Sequence, residues 1–437
     1  MDKFLKSIRE LTNIAGPSGR ESKVANYIKN NWNKYGDVKE DRLGNLSITI
    51  GNNGPHIAFS AHMDEVGFVV KYIDDNGFIS LNKLGGIPER VLTGQKILIL
   101  GSKGIIQGVF TTWPHHLTPE SEKYKVKPIG ECWVDVGAFN KSEVENIGLR
   151  VGDFGVYARS WHVEGNSIFA NSLDNRAGLA SISQLLEKVK KTKNYKLSLI
   201  ASVQEEFCVR ALTPTVKELN PDVHVIIDIS PATDTPEMLG YSDLKLGNGP
   251  TLHLHSFHGR GTLGGVLPPS WLVDYVEDCA KEIEITIQRS SIVGLITDGA
   301  FTQHLNYGIP TVEIGFPVRY THCPVEVCSL IDLTIFSSNT YTIFDTACDV
   351  FYWNGIAYDS SGLYTNVYND TNSCDSTINL YLTILASGCM DPIALNYDSL
   401  AGCSSACIYP ECNISLIDSQ SVTCFGGSDA FLQVGGS

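Results

Sequence analysis

KLSLIASVQEEF, residues 196–207, runs from an apolar, β-prone segment straight into two adjacent glutamates. Such a run predicts a strand buried on both faces, as in a mainly parallel sheet. One carboxylate at the end of a buried strand is ordinary, but two side by side need water, a cation or a chemical task. Two further segments end alike. GPHIAFSAHMD (54–64) closes on His62 and Asp64, and PDVHVIIDIS (221–230) carries Asp228 near its end. SLDNRAGLASISQLLEKVKK (172–191) reads as a helix with Asp174 just before its first turn. Strands alternating with helices predict an α/β fold with helices on both faces of the sheet.

Between 67 and 163 the texture changes. VGFVVKYI, FISL, KILIL, GIIQGVF and DFGVYA are short, rich in β-branched residues and punctuated by glycine. They predict a small β-barrel inserted into an α/β domain that comprises 1–66 and 164–333.

The bulk numbers bound what the chain can do. At 437 residues and 43% hydrophobic composition it has material for two or three domains with real cores. A net charge of −15 argues against nucleic acid as a partner and against a basic membrane-binding face. No apolar run approaches the length of a spanning helix. In the opening MDKFLKSIRELTNIAGPSG, Phe4, Leu5, Ile8 and Leu11 fall at helical spacing. That reads as a surface helix rather than a signal peptide, so the front of the chain is expected in the cytoplasm.

Beyond His322 there is no Lys, Arg or His, and ten acidic residues after position 333 supply −10 of the −15. Seven of the twelve cysteines lie there, from Cys348 to Cys424, amid short Tyr/Ile/Thr/Leu alternations. This pattern predicts a β-rich, disulfide-bearing module of extracellular type over 334–437, with a Cys348–Cys374 bridge as one pairing. The five earlier cysteines have no metal-ligand spacing.

In open α/β sheets ligands sit outside the carboxyl ends of the strands. His62 with Asp64, Glu205 with Glu206, Asp228, and His322 after IPTVEIGFPVRY all fall at such ends, and Asp174 joins them from a helix start. Two imidazoles and several carboxylates converging on one edge call for a cation of the zinc or cobalt type, and the count suits two. By strand periodicity Asp64 shares a face with His62 and can orient its ring, whereas Glu205 and Glu206 should point opposite ways.

SAHMDEVG, NSLDNRAG, VQEE, DISPATDTP, ITDGAF and RYTHCPVEV, in this order and spacing over about residues 1–333, resemble the tetrahedral-type dinuclear metalloaminopeptidases. That family is also labelled glutamyl or deblocking aminopeptidase and sometimes cellulase. The resemblance implies a three-layer α/β/α zinc-peptidase-like domain with an inserted barrel for dimerisation and substrate access. It implies that His62 and Asp228 hold one metal, Glu206 and His322 the other, and Asp174 bridges them. Zinc or cobalt is expected, with manganese as a further choice. Asp64 would orient His62, and Glu205 would act as general base on the activated water. Short peptides would be the substrates, cleaved after their first residue by dimers or assemblies up to dodecamers.

Each residue alone has an ordinary reading. Asp174 is a common helix cap, His322 a satisfied histidine, and the Glu pair a solvated strand end. HGRGTLGG has dinucleotide glycine spacing but is followed by VLPP, not a helix, so it reads as a loop near the substrate, with Arg260 available to a substrate carboxylate. His253 and His255 alternate on one strand face without carboxylates and read as structural. WPHH, with His115 and His116, is given no chemistry. No GxSxG elbow or HExxH helix is present. Two rival functions are a metal-independent glycan hydrolase, which needs only a carboxylate pair, and a non-enzymatic surface adhesive protein.

Against the family pattern, Cys208 and Cys323 stand beside Glu206 and His322, and oxidation there is expected to affect activity. Relatives continue into a closing helix where this chain turns strand-like after VEVCSLIDL. CDSTINLYLTI, GCMDPIALNYDSLA and VTCFGGSDAFLQV resemble repeats of bacterial cell-surface adhesins, the last cut short. A cytoplasmic enzyme and a surface-type tail are in conflict, which favours an artificial join over a natural fusion.

Overall fold

In the computed structural model, Lys196–Ser202 is a strand inside a 12-stranded sheet. The structure describes residues 2–189, 195–259, 261, 263–333, 340–353, 356–368, 376–392, 394–408, 414–420 and 431–436. Lys196–Ser202 runs antiparallel to Leu46–Ile50 and parallel to His56–His62. Val223–Pro231 and Thr311–Arg319 follow, each parallel to its neighbour. The register pairs Ser202 with His62 and Ile226 with Ser60, so Asp228 falls level with His62 at the same sheet edge.

Alternation sorts the strand side chains between two layers. Leu197, Leu199 and Ala201 join the larger core, against the helices Asp2–Asn13, Ser22–Trp32 and Leu173–Lys188. Ile200 faces the other way, toward Ala58, Ile309 and the Leu212 and Val216 side chains around the helix Thr213–Leu219. The first helix buries Phe4, Ile8 and Leu11 as its spacing requires. Each such Leu or Ile contributes roughly 1.5–3 kcal/mol of transfer free energy.

The inserted segment closes a barrel from Gly67–Ile73, Ile79–Leu84, Trp133–Asp135, Gly104–Phe110, Lys96–Gly101 and Phe154–Tyr157. It has its own core, in which Phe68 packs on Phe110 with ring centroids 5.2 Å apart. The barrel strand Trp133–Asp135 shows no periodicity in sequence because three residues are too few to alternate. The main chain enters beside Glu65 and leaves beside Arg159, and these two form a two-bond ion pair with both N–O distances 2.7 Å. The next strand, Trp161–Glu164, already belongs to the large sheet through Ser167–Ala170.

The chain divides into two compact units, Met1–Ser338 and Asn339–Ser437. The second contains a three-stranded sheet of Thr340–Cys348, Ser376–Leu385 and Gly362–Tyr368. Among the described residues its disulfides are Cys348–Cys403 and Cys389–Cys407. The expected Cys348–Cys374 bridge is therefore wrong. Cys348 pairs in register with Leu385, the strand end from which the chain continues to Cys403, and Ser376 begins that strand about 30 Å away. Cys374 itself lies outside the described residues. Among the described residues no helix is long and apolar enough to cross a membrane.

Candidate metal centre

The strand Lys196–Ser202 does not run into the two glutamates. Gln204 adopts a left-handed conformation, φ 56°, which turns the chain into a short helix, Glu205–Cys208. Strand alternation therefore does not govern the pair, and both carboxylates line one cavity of about 420 Å³. The turn is held by acceptors from distant segments. Asp64 Oδ1 and Oδ2 accept the Glu205 and Glu206 main-chain N–H at 3.0 and 3.1 Å, and Glu21 accepts that of Gln204 at 3.1 Å. Asp64 is fully buried and also accepts Ser18 Oγ at 2.6 Å.

Across the cavity, Asp174 sits where the helix Leu173–Lys188 has non-helical dihedrals at its start. Its N–H donates to Glu326 Oε2 at 3.0 Å, and its Oδ2 accepts Thr321 Oγ1 at 3.0 Å. Asp174 Oδ1 lies 3.1 Å from His62 Nε2, and Oδ2 lies 3.3 Å from His322 Nε2. Asp228 Oδ1 is 3.8 Å and Glu205 Oε2 3.9 Å from His62 Nε2, while Glu206 Oε2 is 3.2 Å from His322 Nε2. Two groups thus offer ligand atoms within 4.8 Å of one another: His62, Asp174 and Asp228, and Asp174, Glu206 and His322.

Both imidazoles commit their Nδ1 side to carbonyl oxygens. His62 Nδ1 is 3.2 Å from Asp64 O, with Asp64 Oδ1 at 3.4 Å, and His322 Nδ1 is 3.0 Å from Gly86 O. With Nδ1–H donating, each Nε2 lone pair faces carboxylate oxygens, an arrangement that only a proton or a cation relieves. Electrostatics agree. Burial alone would lower both histidines, but hydrogen bonds and charges from Asp174, Asp64, Glu205 and Asp228 raise His62, and Glu206 and Asp174 raise His322. Burial pushes Glu205, Glu206 and Asp228 up, the nearby histidines opposing and the neighbouring carboxylates adding. Asp174 goes down: burial opposes, but its hydrogen bonds to His322 and His62 win. Glu206 Oε1 is buried without a hydrogen-bond partner. An under-neutralised acidic cluster with an orphaned oxygen and two oriented imidazoles fits a divalent cation of the N/O-binding kind.

One residue escaped the sequence reading. Glu326 is buried, accepts the His322 N–H at 2.8 Å and the Asp174 N–H, and is pushed up to about 8, first by burial and then by Asp174. It ties two candidate ligands together; its only signal is its place four residues after His322. Arg260 lies outside the described residues. His253 is buried against Ser230, and His255 lies partly exposed beside Ser291; neither belongs to the ligand groups. Gly259 and Gly261 have positive φ and lead to the strand Gly265–Val266, not to a helix. Cys208 and Cys323 are partly buried free thiols, and burial raises Cys323, which disfavours its reactive thiolate.

A family model described as M42 glutamyl aminopeptidase matches residues 44–337. The glutamyl aminopeptidase of Lactococcus lactis subsp. cremoris is 30% identical over 336 residues, 74% of this chain and 91% of its own. The aminopeptidase APDkam598 from the archaeon Desulfurococcus kamchatkensis superposes with a TM-score of 0.72 at 30% identity, covering 77% of this chain and 92% of that one. The TET1 peptidase of Pyrococcus horikoshii, described as assembling into a tetrahedron or a large octahedral shell, gives 0.67 at 28%, covering 76% and 97%. With two oriented imidazoles and an acidic cluster at the carboxyl ends of its sheet, the chain belongs to the M42 glutamyl aminopeptidase family and is a metal-dependent aminopeptidase.

Proposed function

We propose that the cluster holds two divalent ions, zinc or cobalt with manganese as a further choice, with His62 and Asp228 at one, Glu206 and His322 at the other and Asp174 shared. The observation that carries this reading is the Asp174 carboxylate, one oxygen 3.1 Å from His62 Nε2 and the other 3.3 Å from His322 Nε2. Mixed imidazole and carboxylate donors favour such ions over calcium or magnesium. When bound, the ions supply Lewis acidity to the scissile carbonyl and make water a better nucleophile at neutral pH.

The remaining work falls to the chain itself. Asp64 orients His62 and anchors the Glu205–Glu206 turn. Glu205, buried in the cavity wall, is the general base: its carboxylate takes a proton from the attacking water and delivers it to the departing amine nitrogen. The free α-amino group of a peptide is held near the ions, which restricts cleavage to the first residue. Short peptides are the substrates, and Arg260 is the candidate partner for a substrate carboxylate. Self-association, between a dimer and a dodecamer, is in keeping with the shells of the P. horikoshii relative.

Chelation followed by metal add-back tests this. Hydrolysis of aminoacyl chromogenic substrates should stop on chelation and return with zinc, cobalt or manganese. Full activity in chelated protein shown by elemental analysis to carry no transition metal would refute the reading. A carboxylate-pair glycan hydrolase keeps its activity under chelation, and an adhesive protein shows no turnover in any condition.

A further inference from the structure

The loop that follows the barrel strand Ile79–Leu84 reaches the cluster. Gly86 lines the cavity, and its carbonyl accepts the Nδ1–H of His322 at 3.0 Å. That bond commits the Nδ1 side of the ring and leaves Nε2 facing Asp174 at 3.3 Å and Glu206 at 3.2 Å. A Cβ at position 86 would lie 3.2 Å from His322 Nδ1 and 3.5 Å from Cε1. Gly86, unlike its neighbour Gly85 at φ 92°, has no positive φ. What position 86 lacks is room beside the imidazole, not backbone freedom. His62 is treated differently, since its Nδ1 partner is Asp64, in its own connection from the sheet.

The barrel is also fixed relative to the opposite wall. Glu65, just ahead of the first barrel strand, holds the Arg159 guanidinium, just past the last, and accepts Gly16 N–H at 2.9 Å and the hydroxyl of Ser172, two residues before Asp174. Tyr157, ending the last barrel strand, donates its hydroxyl to the His322 carbonyl at 3.4 Å.

We propose that Gly86 is a positioning residue for the half of the centre formed by Asp174, Glu206 and His322, so that the inserted barrel sets the ligand geometry there while the sheet and its own connection set it around His62. The proposal rests on the two-ion reading. The barrel's place is then inside the metal site, in addition to any part in access or assembly.

The test is zinc titration calorimetry on the metal-free protein, wild type against Gly86→Ala, with Gly130→Ala as a barrel control whose added Cβ meets nothing within 4 Å. Circular dichroism and thermal melting check that each is folded. Wild type and Gly130→Ala should bind two ions alike. Gly86→Ala should bind one ion as wild type does and the other about 10- to 100-fold more weakly, the range for disturbing the partner of a metal-ligating imidazole. Equal titration of Gly86→Ala and wild type overturns the proposal alone, as does equal weakening of both ions. A wild type that takes up no zinc overturns the two-ion reading with it. Independently of the variant's folding, imidazole nitrogen spectra of zinc-loaded wild type should show the His322 proton on Nδ1. A proton on Nε2 overturns the proposal.

Discussion

His62, His224 and His253 belong to three strands of one sheet and are equally withdrawn from water, at 2%, 0% and 1% exposure. Their surroundings divide them. His224 lies between the hydroxyls of Ser60 and Thr302 at 2.9 and 3.0 Å, and His253 meets Ser230 at 2.7 Å. With only hydroxyls in reach, burial lowers them to about 3 and about 4. His62 is raised instead, because four carboxylates outweigh the same burial. Burial alone therefore does not make a ligand. What distinguishes the sheet edge from its interior is uncompensated negative charge, and that makes the edge a cation site and the interior a packed core.

The sharpest division within the acidic edge is between groups that hold ions and the group that moves a proton. Glu205→Gln should keep its full metal content yet lose about 10²- to 10⁴-fold in kcat, since the amide has no basic oxygen to take the proton. Near wild-type turnover would remove Glu205 from the role of general base. Next in size, Asp64→Asn should weaken metal binding by about 10- to 100-fold, read by competition with a chromogenic chelator. An unchanged affinity would mean that the Asp64 main-chain carbonyl orients His62 without help from the carboxyl group.

In the interior, His253→Ala should leave metal content untouched and cost about 1–3 kcal/mol in urea unfolding, because it leaves Ser230 short of a partner and opens a cavity. Loss of metal from that variant would erase the contrast between edge and interior. The pH dependence follows from the same lowering. The unfolded chain protonates its histidines near the ordinary value of about 6.5, while folded His224 stays neutral down to about 3. Its contribution is thus fully present above pH 6.5 and shrinks as pH falls through that value toward 3. Melting temperature of His224→Asn should therefore fall less between pH 7 and pH 5 than that of wild type; parallel slopes would refute this. The smallest effect belongs to His255, partly exposed beside Ser291, whose replacement by Ala should stay within about 0.5 kcal/mol.

Much of this edge was legible in the chain. Apolar runs ending in His62, Glu205 and Asp228 announced the strands, and convergence of like charges announced a cation. The path after Ser202 was not legible. The left-handed Gln204 depends on Glu21 and Asp64, acceptors from segments more than a hundred residues away, and no local pattern encodes them. Glu326 stayed hidden for the same reason, because its partners are main-chain N–H groups. The cysteine pairing failed through strand register, a property of how Thr340–Cys348 meets Ser376–Leu385 rather than of either segment.

The candidate ligands and the base come from positions 62, 174, 205, 206, 228 and 322, scattered over most of the enzyme unit. Synthesis runs from the amino end, so a growing polypeptide owns His62 long before His322 leaves the ribosome. Until then one imidazole and several acids hang from an unfinished scaffold. Incomplete translation products should accordingly be hydrolytically silent, and metallation becomes a late event in the birth of each molecule.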